Sequence, residues 1–350
     1  MLNNTPKSRF AGILLVLGIL LIAANLRATF TGIAPVLEQI INHFGLSASQ
    51  AGFLTTLPLI AFAVISPMAA TLAKKQGLER TLFVALLFIL AGVAARVINT
   101  SAMLFVGTAI IGVGIAIANV LLPSLIKRDF PAKVALMTSA YVLTMGVVSG
   151  GFSTLVFPLS QLNGLGWQLA LGSSALITLA SIIVWMSQLS KHTKPASIAQ
   201  HTDTSKSVWR YLLAWQITLL LGLNSFLNYI IITWLPSILT ETGHSATQAG
   251  AYHGAFQIAT ALPGLILIPL LAKLKDQSAL SFILAMLSAL CALGYLLAAI
   301  GPMLAGALHT TTGSWSAPLW LCAIAGVLCA LCGLGSGKNT TLAKSANELL

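Results

Sequence analysis

The chain has 350 residues, of which 57% are hydrophobic and 7% charged, with a formal net charge of +11. Soluble domains carry about 25% charged residues, so this composition excludes an ordinary soluble enzyme and fits a polytopic membrane protein. The positive charge does not point to nucleic acid either, because the basic residues lie between apolar runs long enough to cross about 30 Å of hydrocarbon.

Lys7 and Arg9 precede the first apolar run, roughly 11–33, in a manner that resembles a signal sequence. The run is too long for a signal core and continues past Arg27, so it reads as an uncleaved first span. A charged side chain at bilayer depth costs roughly 2.5–3.5 kcal/mol even on lenient insertion scales. Arg27, with Asn25 close by, therefore reads as facing a water-filled cavity or an anionic partner. The alternative is an arginine that snorkels to a headgroup or pairs with a backbone carbonyl.

Further runs follow at roughly 51–72, 82–99, 102–125, 136–158 and 168–187. After a polar segment, more come at roughly 212–235, 249–272, 279–301 and 316–335. This predicts an all-α fold of about ten spans: a six-helix bundle over 1–187, a linker over 188–210, and a four-helix bundle over 211–350. Sixteen of the 18 lysines and arginines fall on alternate loops, and the other two, Arg27 and Arg96, lie within spans. The positive-inside rule then places both termini and the linker in the cytoplasm.

The two halves share a repeat. Ser47-Ala-Ser-Gln-Ala-Gly52 begins the second span and Ser245-Ala-Thr-Gln-Ala-Gly250 the eighth, each a capping box with Ser three residues before Gln. Each follows a proline, Pro35 or Pro236, and each leads to a basic turn. Copies in one orientation, six spans apart, indicate parallel repeats about an axis normal to the membrane. Shifted by the offset of 198, the second half should end near residue 385, so about two spans are missing from it.

Few polar residues lie within the spans. Asn119, in the fourth, reads equally as a cavity residue or a helix–helix hydrogen bond. Asn224, Ser225 and Asn228 in the seventh span, followed by Tyr229, place two amides on one apolar face, which favours a cavity and a solute-binding role. Gln257 and His253 share a face of the eighth. His253 is a candidate coupling group but, one turn from the boundary, reads first as an interfacial histidine. Arg96 is expected to reach the outer interface, and Trp215 and Trp234 to sit in interfacial belts. Gly146, Gly150 and Gly151 on the fifth span, and Gly107, Gly112 and Gly114 on the fourth, are expected to admit close helix packing. The four cysteines, Cys291, Cys322, Cys329 and Cys332, read as small apolar packing residues. No metal or cofactor is implied. HExxH and GxSxG motifs and paired intramembrane carboxylates are absent from the sequence, which argues against an enzyme.

Two six-helix repeats joined by a cytoplasmic linker resemble the plan of the major facilitator superfamily. The finer likeness is to its CynX/NimT branch, the cyanate and 2-nitroimidazole transporter-like proteins. It rests on Asn25-Leu-Arg27 with Pro35, on Leu78-Glu-Arg80-Thr81, and on Gly112-Val-Gly-Ile-Ala-Ile-Ala-Asn119 through Pro131. It continues in Gly166-Trp167, Trp215-Gln216, Trp234-Leu-Pro236 and Gly294 through Trp315. The resemblance implies a bacterial-type inner-membrane transporter working by alternating access on a small polar or anionic solute. Two departures accompany it. The superfamily loop pattern G-x-x-x-D-R-x-G-R-R reads Ala70 through Glu79 here without the acidic residue, and two spans are missing with a join near 277–292.

The expected partners are thus the lipid bilayer and a small solute bound by Arg27, whose planar donor fork matches a carboxylate-like group. An inside-negative potential opposes anion uptake by about 2.3 kcal/mol per charge per 100 mV. Glu38 and Glu241 fall on outer loops, so exchange, efflux or coupling through the solute's own protonation fits better than proton symport through a buried carboxylate. The competing reading is a transport-inactive relic or a membrane partner or sensor subunit. Solute, coupling ion and oligomeric state stay open. From the repeat, Arg27 corresponds to Ser225 or Asn228, so the expectation is a guanidinium facing amides across the pseudo-two-fold axis.

Overall fold

The computed structural model describes residues 6–162, 164, 166–190, 212–271 and 298–336, and among them it is helical throughout, without strands. The first span is α1 (Pro6–Thr31), a 3-10 turn (Ala34–Val36) and α2 (Leu37–Phe44). Then follow α3 (Ala48–Gln76), α4 (Leu78–Arg96), α5 (Ser101–Asp129), α6 (Val134–Ser160), α7 (Gly166–Gly172) and α8 (Ser174–Met186). The second half contains α9 (Leu212–Glu241), α10 (Ala246–Leu271), α11 (298–312) and α12 (Ser316–Ser336). Seven described segments are long and apolar enough to cross a membrane. The proposed join at 277–292 and most of the linker lie outside the described residues.

Both capping boxes form. Ser47 N donates to Gln50 Oε1 at 2.8 Å while Gln50 N donates to Ser47 Oγ at 3.2 Å. The corresponding distances at Ser245 and Gln248 are 3.0 and 3.2 Å. The same local device thus starts a helix in each half, as the repeat predicts.

Three elements depart from the expected spans. The first span is interrupted, because Pro35 has no N–H to continue the ladder and α1 stops at Thr31. Gly32 sits at this break with the ring of Phe152 lying where a side chain would be. The sixth span is two helices, broken at Ser173. The span expected to end at 301 runs on to 312 through Gly301 and Pro302. Trp234 Nε1 donates to the Pro302 carbonyl at 2.9 Å, which ties α9 to α11.

The halves meet along two seams that run from the end carrying Ser47 (the Ser47 end) towards mid-depth. On one, α6 lies against α10, and a Cβ on Gly150 would sit 2.6 Å from the Gly254 carbonyl oxygen. On the other, Gly52 of α3 faces the Pro302 backbone of α11, and Thr56 Oγ1 donates to the Ala299 carbonyl at 2.7 Å. Close approach of backbones through small residues is how membrane helices associate without a hydrophobic driving force. At the opposite end, the Lys75 end, Arg128 pairs with Glu79 at 2.9 Å and with Asp129 at 2.7 Å. An ion pair therefore joins α4 to α5 there, despite the missing acid in the loop pattern.

Candidate solute site between the two halves

Arg27 projects from α1 towards the second half, half-buried, and its Nη2 donates to Thr260 Oγ1 of α10 at 3.1 Å. Thr260 in turn donates to the Gln257 carbonyl at 2.8 Å. Tyr229 and His253 both lie within electrostatic reach of the guanidinium. The Tyr229 ring meets Phe30 edge-on at 5.6 Å. Gln257 and His253 are wholly buried, their Nε2 atoms 3.3 Å apart. Gln257 Oε1 is buried without a hydrogen-bond partner, and the His253 ring lies beside the Ile232 backbone. His253, Gln257 and Thr260 fall at i, i+4 and i+7, so one face of α10 presents a ring nitrogen, an amide oxygen and a hydroxyl. Such a set can hold an anion or a polar planar ring at the cation while offering both donors and acceptors around it.

This geometry corrects several expectations. Arg27 meets a hydroxyl of the eighth span, not the amides of the seventh. Asn228 and Ser225 are half-buried, Asn224 is exposed, and none of the three makes a side-chain hydrogen bond among the described residues. Asn119 is likewise half-buried with its amide unengaged. Asn25 points elsewhere: Nδ2 donates to Ser181 Oγ at 2.7 Å and Leu21 O at 2.8 Å, and Oδ1 accepts from Thr178 at 2.6 Å. With no exposure and its amide engaged on both atoms, it clamps α1 to α8. His253 is fully buried within the protein, and Trp234 is buried at 2% exposure while Trp215 remains exposed. Asn25→Ala should lower the melting temperature in detergent by about 2–4 °C, with KM for the solute unchanged; a KM shift at constant stability would return Asn25 to the site.

Arg96 is the largest departure. It is 1% exposed, and its Nη1 donates to the Thr29 carbonyl at 2.8 Å, with Nε and Nη2 buried and unpartnered. The last carbonyls of a helix lack intrahelical partners, and Arg96 satisfies one where α1 breaks. Its position at the end of α4 predicts an interfacial arginine; the break that creates its acceptor has no charge signature. Thr260 was missed for a different reason. A threonine within a helix usually bonds its own backbone, and only the fold shows that its oxygen also accepts from Arg27.

A profile of the Major Facilitator Superfamily matches residues 15–300. The chain belongs to the major facilitator superfamily. It is a membrane transporter and not an enzyme, and its family moves small solutes by secondary transport. Among its relatives is the 2-nitroimidazole transporter of Escherichia coli (strain K12), 43% identical over 387 aligned positions that cover 96% of this chain and 98% of that one. The cyanate transport protein CynX of the same organism is 26% identical over 75% of this chain and 68% of its own length. The fold is shared with the inward-open xylose transporter XylE of E. coli, at TM-score 0.71 and 12% identity, covering 95% and 99% of the two chains. An alignment of 387 positions on a chain of 350 leaves at least 37 internal positions of the nitroimidazole transporter facing a gap.

Proposed function

We propose that this superfamily member carries a small monoanion or strongly polar heterocycle, of the cyanate or nitroimidazole kind, by alternating access around Arg27. The observation that carries the reading is the Arg27–Thr260 contact, a half-buried cation reaching from one half to a hydroxyl of the other. Among the described residues it has no carboxylate partner, so the guanidinium is available to a solute anion. The solutes named for its relatives fit such a site, since each is a compact π-system carrying acceptor atoms. The site comprises Arg27, Thr260, Tyr229 and Gln257, with Asn119, Ser225 and Asn228 as further polar groups of the spans and His253 as the candidate coupling group. Asn25 and Asn224 take no direct part in this conformation.

The Lys75 end faces the cytoplasm, because the lysines and arginines cluster on the loops of that side. The protein then lies in a bacterial-type inner membrane with both termini inside, as a bundle over 1–187, a linker over 188–210 and a shortened bundle over 211–350. The positions of the nitroimidazole transporter that face a gap are enough for two missing spans, which supports reading the second bundle as shortened. An exchange cycle suits a site with one fixed cation: loaded with a monoanion it crosses neutral, whereas empty it carries a desolvated charge through the occluded state.

The test is counterflow in proteoliposomes with 2-nitroimidazole and cyanate as separate solutes. Vesicles preloaded with unlabelled solute should accumulate labelled solute transiently, well above protein-free vesicles. No counterflow for either, with folding verified by circular dichroism, would favour the relic reading. Flux that appears only once two spans are restored at the gap would establish it.

A further inference from the structure

At the Lys75 end a groove of ≈ 680 Å³ lies between the α3–α4 turn and the end of α8, lined by Lys75, Gln76, Arg80, Phe83, Val84 and Leu189. We infer that this groove binds one anionic phospholipid, its phosphate held by Lys75 and Arg80 and its acyl chains running along α4 and α8.

Charge is the first support. Lys75 and Arg80 are exposed, and neither has an ion-pair partner among the described residues. Glu79 is the nearest acid in sequence and does not neutralise them. It is 1% exposed and turned inward to Arg128. Consecutive residues at the start of α4 therefore send the acid to the interior and the base to the surface.

The walls are the second support. From Arg80 the groove floor continues over Phe83 and Val84 and then along exposed Leu87 and Phe88, spacings that keep one face of α4. The α8 wall continues from Leu189 to exposed Met186 and Ile183, at 57% and 69%. Trp185 Nε1 donates to the Glu79 carbonyl at 2.9 Å, fixing the two walls to each other. A pair of cations set where two apolar strips begin matches an amphiphile with a charged head and two chains; free phosphate would leave the strips bare.

Native mass spectrometry of the full-length protein, released from detergent with equimolar phosphatidylglycerol and phosphatidylcholine, tests this directly. Wild type should retain one phosphatidylglycerol in preference to phosphatidylcholine, and retention should fall about fivefold for each charge removed in Lys75→Gln and Arg80→Gln. Arg80→Lys should keep most of it. Lys133→Gln, at an exposed base outside the groove, should lose none. Equal retention by the double Lys75→Gln, Arg80→Gln protein, an equal loss in Lys133→Gln, or displacement of the lipid by millimolar inorganic phosphate would each overturn the assignment.

Discussion

Arg27→Ala should cut solute affinity roughly a hundredfold, the consequence of losing a charge-assisted pair worth about 3 kcal/mol. The guanidinium is the one group of the central cluster that brings a permanent charge, and it already reaches across to Thr260 without solute. Measured as KM for counterflow in liposomes, the loss should be only partly recovered by Arg27→Lys, since an ammonium keeps the charge but not the planar fork. Folding should survive, because removing the cation also removes an unfavourable charge from the span. Thr260→Val supplies the cross-check, with a smaller penalty of about fivefold for one neutral hydrogen bond. Wild-type KM in Arg27→Ala would remove the residue from the centre of the site.

Gly254→Leu should slow turnover by a different route, by about fivefold or more. Gly254 meets both the Gly150 carbonyl and the Thr154 hydroxyl of α6, with less room than any Cβ needs. Overpacking typically costs about 1–3 kcal/mol, which shifts the open–closed equilibrium of the Ser47 end by about fivefold to 150-fold. Both helices still form, since leucine suits a membrane span. The open state is read at Ser153, wholly buried on the same seam. In a background lacking the native cysteines, Ser153→Cys should react with an impermeant maleimide in Gly254→Leu and resist it with the glycine present. Unchanged protection together with unchanged flux would show that this seam does not open during transport.

What could be read from the chain alone follows from periodicity and charge. Membrane-length apolar runs, basic loops and paired Ser-x-x-Gln caps are local signals, and among the described residues the structure has seven apolar segments of spanning length and both caps. Arg27 was legible because a lone cation in hydrocarbon is anomalous wherever it points. Its partner was not, because which face of the eighth span meets the first depends on packing between halves. The repeat suggested Asn228 or Ser225 by symmetry, and the asymmetric seam through Gly146, Gly150 and Gly254 brings α10 to Arg27 instead. Asn25 shows the limit of grouping by sequence proximity. Two residues along a helix turn about 200°, so Asn25 looks into the first bundle while Arg27 looks out of it.

Among the described residues no ion pair joins the halves; backbone against glycine, and hydroxyl against carbonyl or hydroxyl, make the closure at the Ser47 end. A door without charge keeps the same balance of open and shut in brine as in fresh water, because there is nothing for ions to screen. Its rheostat is side-chain volume. Stepwise enlargement at Gly52, Gly150 or Gly254 gives a lineage of such carriers a graded way to set turnover one methyl group at a time, leaving the chemistry at Arg27 untouched.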